Sequence, residues 1–253
     1  MKNKECDIND FIIIIDDKYI YVGDSYFSDK NLFYNGKITI FSKDSYLNVK
    51  ELHGTENEER LGLTLVSDKK YFYVGSQFNG NNGFVDNGKV TIYDKSDFSI
   101  VKELYGVKNY GWFGSSIAVD DKYIYIGSKG EYKNFYGKVT IFKKSDYSIV
   151  KELHGENINQ WFGSSLAVDE NYIYIGSEGY KLFKGKISIY KKSDFSIVKE
   201  LFGTETYKLF EIKDVDNKYI YIRSKKDKKE KVILFNKSDF SFFKEIWKKL
   251  KFL

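Results

Sequence analysis

The sequence predicts an all-β protein, a five-bladed β-propeller whose blades are four-stranded antiparallel sheets. Residues 112–128 read WFGSSIAVDDKYIYIGS and residues 161–177 read WFGSSLAVDENYIYIGS, with fourteen of seventeen positions identical. Weaker copies of this pattern place five tyrosines in register, at spacings of 52, 52, 49 and 47 residues. These are Tyr19, Tyr71, Tyr123, Tyr172 and Tyr219. Each copy has four strand-like runs, and four short strands repeated at this period are typical of a propeller blade.

The elements of one copy follow from residue type and alternation. In the third copy, runs rich in β-branched and aromatic residues predict strands over 113–119, 123–128, 137–143 and 148–153. Short polar links join the first to the second strand and the third to the fourth, as hairpins require. In YIYIG, alternation places both tyrosines on one sheet face and both isoleucines on the other. Two apolar faces suit a sheet packed between two neighbours, and the small residues of FGSSIAV suit the crowded inner strand.

The repeat predicts a single propeller domain over residues 1–253. We expect the five blades at residues 8–54, 61–106, 113–155, 162–203 and 209–246, with a short tail at 247–253. The first and fifth copies deviate, as terminal repeats do. No spare strand is evident to lock the ring, although residues 1–7 or 247–253 are available for this. Weak closure would favour a homodimer or a longer assembly.

Composition limits the partners and the location of the protein. The 41 basic and 36 acidic residues leave a net charge of only +5, so we expect no nucleic-acid partner. The apolar run FIIII at 11–15 is too short to span a membrane, and the N-terminus lacks a signal peptide. Cys6 is the single cysteine, which excludes an internal disulfide. We therefore expect a cytoplasmic protein, or an extracellular one if the chain is a fragment. The high aromatic content of 18% has two possible explanations: the aromatic residues serve a function, or the gene belongs to an AT-rich genome.

The motif order Phe-Gly-Ser-Ser-x-Ala-Val-Asp, Tyr-Ile-Tyr-Ile-Gly-Ser and Gly-Lys-Val-Thr-Ile-Phe resembles the FG-GAP repeat of integrin-α-type propellers. The Phe-Gly pair stands at 113–114 and 162–163, weakly as Leu61-Gly62, and is lost in the first and fifth copies. The resemblance implies a binding or adhesion platform rather than an enzyme. The family often holds calcium between its first two strands, but the links SDKKY, VDDKY and VDENY are too short for that loop. We expect no metal and no cofactor.

The repeat also tests candidate catalytic residues, because a residue present in every copy is structural. His53 and His154 share a repeat position with Tyr105 and Phe202, which indicates aromatic packing and argues against His-dependent catalysis. The hairpin aspartates recur in every copy, as Asp16, Asp68, Asp120, Asp169 and Asp216. So do the glutamates of the fourth strand, Glu51, Glu103, Glu152, Glu200 and Glu245. Both sets are expected to be structural.

Carboxylates outside the repeat register are the better enzyme candidates. Asp24 replaces a serine, and Glu211 and Asp214 lie on the inner strand of the fifth copy. Paired carboxylates near a propeller axis would suit glycoside cleavage. Degeneration of a terminal blade is the simpler explanation.

The loops between second and third strands vary most, and they should share one side of the blades with the interblade links. They carry aromatic residues beside Asn and Lys, which suits protein or sugar recognition. The candidate binding residues are Phe33, Tyr34, Phe78, Phe84, Phe135 and Tyr136. Trp112 and Trp161 are expected to pack between blades. The predicted function is a non-enzymatic scaffold for a protein partner. The alternatives are a lectin-like, glycan-binding propeller and a glycoside-cleaving one.

Overall fold

The computed structural model describes residues 11–80, 83–130, 136–206, 208–226 and 229–247. Within these residues, twenty strands form five four-stranded antiparallel sheets, each with its strands in sequence order. The fold is a five-bladed β-propeller, which confirms the predicted fold class. The strands of the third copy lie within one residue of their predicted bounds. Phe135 and the segments 1–10 and 248–253 lie outside the described residues.

The blades are numbered in chain order. Blade 1 contains β1 (Phe11–Ile15), β2 (Tyr19–Asp24), β3 (Lys37–Ser42) and β4 (Asn48–His53), and blade 2 contains β5 (Thr64–Ser67), β6 (Tyr71–Ser76), β7 (Lys89–Asp94) and β8 (Ile100–Tyr105). Blade 3 contains β9 (Phe113–Val119), β10 (Tyr123–Ser128), β11 (Lys138–Lys143) and β12 (Ile149–His154). Blade 4 contains β13 (Phe162–Val168), β14 (Tyr172–Ser177), the short helix α1 (Tyr180–Phe183), β15 (Lys186–Lys191) and β16 (Ile197–Phe202). Blade 5 contains β17 (Lys208–Val215), β18 (Tyr219–Lys226), β19 (Lys229–Asn236) and β20 (Phe242–Trp247).

The chain divides into two compact units, residues 1–117 and 118–253, with the boundary inside β9. In each unit the core forms where the tyrosine face of one blade packs on the isoleucine face of the next. In the first unit, blade 1 contributes Tyr21, Ile38 and Ile40, and blade 2 contributes Phe72 and Val74. In the second unit, blade 4 contributes Tyr174, Ile187 and Ile189, and blade 5 contributes Ile220, Ile222 and Ile233. The interpretation of YIYIG as a strand with two buried faces is therefore correct.

The glycines of the Phe-Gly and Tyr-Ile-Tyr-Ile-Gly motifs allow adjacent inner backbones to approach closely. A Cβ atom on Gly75 would lie 2.3 Å from the carbonyl oxygen of Gly114, and one on Gly23 would lie 2.5 Å from that of Gly62. Gly114 also has a φ of +86°, a left-handed conformation that disfavours residues with a Cβ. The motif is thus explained by backbone packing between blades.

A repeated ion pair joins hairpins of adjacent blades. The Asp120 carboxylate accepts hydrogen bonds from the backbone N–H groups of Lys122 and Tyr123 (2.8 Å each) and from the Tyr125 hydroxyl (2.8 Å). The Lys192 ammonium of blade 4 lies 2.5 Å from the same carboxylate and donates to the Asp169 carbonyl oxygen at 2.8 Å. We call this arrangement the interblade Lys–Asp pair. It recurs between Lys237 and Asp169 at 2.7 Å and between Lys95 and Asp16.

The interblade pair gives the hairpin aspartates the structural role that the repeat predicts. Burial opposes ionisation of Asp120, but the Lys192 ammonium and the backbone N–H donors outweigh it and lower the pKa of this carboxyl. The recurring glutamates are also paired with lysines across strands, as in Lys138–Glu152 at 2.5 Å and Lys186–Glu200 at 2.6 Å. Both sets of acids therefore hold the sheets together.

Lys192→Met should lower the free energy of unfolding by about 2 kcal/mol at neutral pH, because it leaves a largely buried carboxylate without its cation. Since the folded pKa of Asp120 is lowered, its contribution is present above the unfolded value near about 4 and is lost as the pH falls through the folded pKa. Urea unfolding of wild type and variant from neutral to acidic pH measures the difference. The exposed neighbour Lys191→Met is the control and should change little. Equal losses in both variants would show that the pair adds no stability.

Gly114→Ala should destabilise the protein more than Gly83→Ala, although both glycines have positive φ values. A Cβ on Gly83 meets nothing within 4 Å, so this variant measures the backbone strain alone, about 1 kcal/mol. A Cβ on Gly114 would lie 2.9 Å from the Lys89 carbonyl oxygen and from the Val90 side chain, so we expect a loss of about 3 kcal/mol or more. Thermal unfolding of both variants tests this, and similar melting temperatures would exclude the close approach as a constraint.

Candidate functional site

The loops between second and third strands are hydrogen-bonded to the interblade links that follow them. In blade 1, the Phe33 N–H donates to the Asn57 side-chain oxygen at 3.0 Å, and the Glu58 N–H donates to the Phe33 carbonyl at 2.9 Å. The same two hydrogen bonds recur in blade 2 among Val85, Asn109 and Tyr110. The loops and links of these two blades therefore share one side, as the sequence predicts.

Three aromatic rings surround the Arg60 guanidinium in the first unit. Its central carbon lies 4.7 Å from the ring centroid of Phe78, 4.9 Å from that of Tyr26 and 5.6 Å from that of Tyr34. The ring of Phe33 lies 6.3 Å from that of Tyr34 in a perpendicular arrangement. We call these five residues the Arg60 patch. Cation–π attraction to these rings holds the Arg60 guanidinium in place beside exposed aromatic side chains.

The Arg60 patch is open to solvent and firmly positioned. Phe33 is 52% exposed, Tyr26 49% and Tyr34 41%. The Arg60 N–H donates to the Tyr34 carbonyl at 3.0 Å, which fixes the link against the loop. The Arg60 Nε is buried and has no hydrogen-bond partner within the described residues. Burial and the negative charge of Glu58 raise the pKa of the Asp86 carboxyl, and the positive charge of Arg60 opposes this shift.

The predicted binding residues fall into three groups. Phe33, Tyr34 and Phe78 come together at Arg60. Phe84 and Tyr136 are exposed elsewhere, and Phe135 lies outside the described residues. Sequence reasoning missed Tyr26 and Arg60. Aligning the repeats could have identified Arg60. It occupies the position directly before Leu61-Gly62, where the next two copies have Trp112 and Trp161 before Phe-Gly.

A second candidate site is a cavity of about 610 Å³ in the second unit, formed by an interblade link and the α1 loop. The ring of Trp161 is half-buried, lies 5.2 Å from that of Phe183 in the α1 loop and lines the cavity. Exposed amides of Asn157 and Asn159 line it too. The buried Gln160 anchors the link, because its Oε1 accepts two backbone N–H groups and its Nε2 donates to Ser177 at 3.2 Å.

The carboxylates that are out of the repeat register already have partners. Glu211 forms ion pairs with Arg223 and, at 2.6 Å, with Lys213. Asp24 accepts a hydrogen bond from the Tyr26 N–H at 3.2 Å, and Asp214 accepts one from the adjacent backbone at 2.7 Å. A further acid, Glu178, was not predicted. Burial raises the pKa of its carboxyl, and the negative charge of Glu211 adds to this effect.

Both histidines are exposed, and each lies beside the glutamate two residues before it in the fourth strand. The ring of His53 lies 5.4 Å from that of Phe27, and its Nε2 lies 3.6 Å from Glu51. Among the described residues, no cluster of three or more His, Cys, Asp or Glu side chains is arranged to hold a metal ion. Helices in the same part of the chain are all too short or too polar to cross a membrane.

Comparison with known proteins supports the fold and does not identify a family. No protein-family model matches the sequence, and no curated protein matches it significantly. Among solved structures, the hydrazine synthase of Kuenenia stuttgartiensis is similar, with a TM-score of 0.63 at 10% sequence identity. The similarity covers 87% of this chain and 60% of that one, so this chain spans less than two thirds of its length. At this identity the similarity shows the propeller fold alone.

Proposed function

We propose that this propeller is a non-enzymatic interaction module that binds a protein partner through the Arg60 patch. The observation that carries the proposal is the composition of the patch. Exposed tyrosine and phenylalanine rings surround an arginine, and these residue types dominate the binding energy of protein interfaces.

The rigidity of the patch supports the same proposal. Its loop and link are joined by backbone and Asn57 hydrogen bonds, and Arg60 is held between rings. Side chains that are ordered before binding lose little entropy on association, so a larger part of the contact energy appears as affinity.

Phe33→Ser together with Tyr34→Ser should lower the enrichment of a specific partner at least about tenfold, since each large aromatic anchor at an interface contributes 1 kcal/mol or more. The measurement is affinity enrichment from native lysate with quantitative mass spectrometry, followed by titration of the purified partner. Tyr46→Ser with Leu47→Ser is the matched control, because these two exposed residues lie on another turn of blade 1. A partner that is retained equally by both variants would exclude the patch as its binding site.

Carbohydrate binding is a second candidate, and the Trp161 cavity favours it. An aromatic wall beside amide groups provides stacking and hydrogen-bonding surfaces for a sugar ring. If this function holds, wild type binds members of a glycan array and Phe183→Ser loses that binding, whereas the Phe33 and Tyr34 double variant keeps it. An array without any bound glycan would remove this candidate and leave the protein-binding proposal untouched.

A further inference from the structure

The segments that carry the Arg60 patch are acidic, although the whole chain is weakly basic. The loop at 24–35, the link at 54–60 and the loop at 77–87 together contain six acidic and two basic residues, whereas the complete chain has 41 basic and 36 acidic residues. One of the six acids, Glu59, is buried, and the Lys89 ammonium neutralises it at a distance of 2.9 Å from its carboxylate. The remaining charge of these segments is still negative, opposite in sign to that of the protein.

Glu58 and Asp86 carry carboxylates without a cation partner. Glu58 lies in the link and is exposed, and Asp86 lies in the blade 2 loop and is half-buried. Within the described residues, neither side chain accepts a hydrogen bond or forms an ion pair. The two groups influence each other, since the charge of Glu58 raises the pKa of the Asp86 carboxyl more than the charge of Arg60 lowers it. The potential at Asp86 is therefore negative despite the nearby arginine.

Backbone hydrogen bonds place both acids beside the aromatic rings of the patch. The Glu58 N–H donates to the Phe33 carbonyl at 2.9 Å, which holds Glu58 next to the exposed Phe33. The Asp86 carbonyl accepts the Trp112 N–H at 3.2 Å. The ring of Trp112 lies 5.6 Å from that of Phe78, which is a member of the patch. Anionic groups and aromatic rings therefore belong to the same surface.

The two charges are departures from the repeat that the backbone does not need. Glu58 takes the link position that Tyr110 takes before blade 3, and the Tyr110 N–H makes the equivalent hydrogen bond to the preceding loop at 2.7 Å. Asp86 takes the loop position of Tyr34, whose carbonyl likewise accepts a backbone N–H of the following link. Uncharged residues thus build the same loop and link contacts. The carboxylates are available for binding.

We propose that the partner bound by the Arg60 patch presents a basic segment, with a Lys or Arg side chain of this segment placed between the Glu58 and Asp86 carboxylates. The inference rests on the proposed function and specifies its partner. A cation at this position pairs with both carboxylates and is attracted to the exposed ring faces of Phe33 and Tyr34. An acidic segment would bring like charges together at the contact. Charge complementarity therefore favours a basic segment.

A library of random peptides displayed on phage and selected on the immobilised full chain tests this inference. We expect the selected peptides to be enriched in Lys and Arg relative to Asp and Glu. Glu58→Gln together with Asp86→Asn should weaken binding of these peptides at least about tenfold, because the charges are lost while side-chain size is kept. Fluorescence polarisation of labelled synthetic peptides measures the affinities. Asp121→Asn with Glu170→Gln removes the same charge from exposed hairpins of the second unit and should bind as wild type does.

Thermal unfolding separates loss of binding from loss of folding. The neutralised variant should be at least as stable as wild type at neutral pH, since the repulsion between the two carboxylates is removed. Patch-dependent peptides that are enriched in acidic residues, or that bind the neutralised variant as well as wild type, overturn the inference and leave the proposed function in place. Here patch-dependent means lost with Phe33→Ser and Tyr34→Ser. A selection that yields no patch-dependent peptide overturns both.

Discussion

The hairpin aspartate is the residue on which the repeated structure depends most. One carboxylate closes the first hairpin of its blade through two backbone N–H groups, fixes the buried tyrosine of the second strand and accepts the ammonium of the next blade. The same ammonium also binds a carbonyl oxygen in its own hairpin, as Lys192 does at Asp169. Hairpin geometry, strand orientation and blade spacing are therefore coupled at one point. This coupling explains why the Asp-x-x-Tyr spacing is kept in all five copies while the neighbouring loops change in length.

The strand positions were predictable because the physics that sets them is local. Alternation of apolar residues, short polar links and five repeats of one pattern define the strands of blade 3 to within one residue. The role of the glycines was only partly predictable. The sequence indicates small residues at the inner strand, but the approach of Gly75 to the Gly114 carbonyl depends on two blades meeting. The lysine partners of the hairpin aspartates were not predicted for the same reason, since each lies on the next blade and far away along the chain.

The Arg60 patch shows where sequence reasoning about a site succeeds and where it stops. Three of its five residues were identified because exposed aromatics in variable loops are a local signal. Tyr26 and Arg60 were missed because their proximity comes from a loop, a link and a loop of the next blade converging on one guanidinium. Comparison of repeat positions would have found Arg60, since it replaces a tryptophan. A residue that differs from its equivalents in the other copies, as Arg60 does, thus indicates a binding surface better than the aromatic content of the loops alone.

The same comparison of positions separates packing from recognition at Arg60. The backbone of the Arg60 patch is engaged, since the Arg60 N–H donates to the Tyr34 carbonyl and the Phe33 N–H donates to the Asn57 side chain. Its rings are nevertheless open to solvent, with Phe33 at 52% and Tyr26 at 49% exposure. Repeat positions that serve the core are buried instead, as Phe113 and Phe162 are at the start of their blades. An exposed aromatic cluster on a fixed backbone is therefore better suited to a partner's surface than to the core.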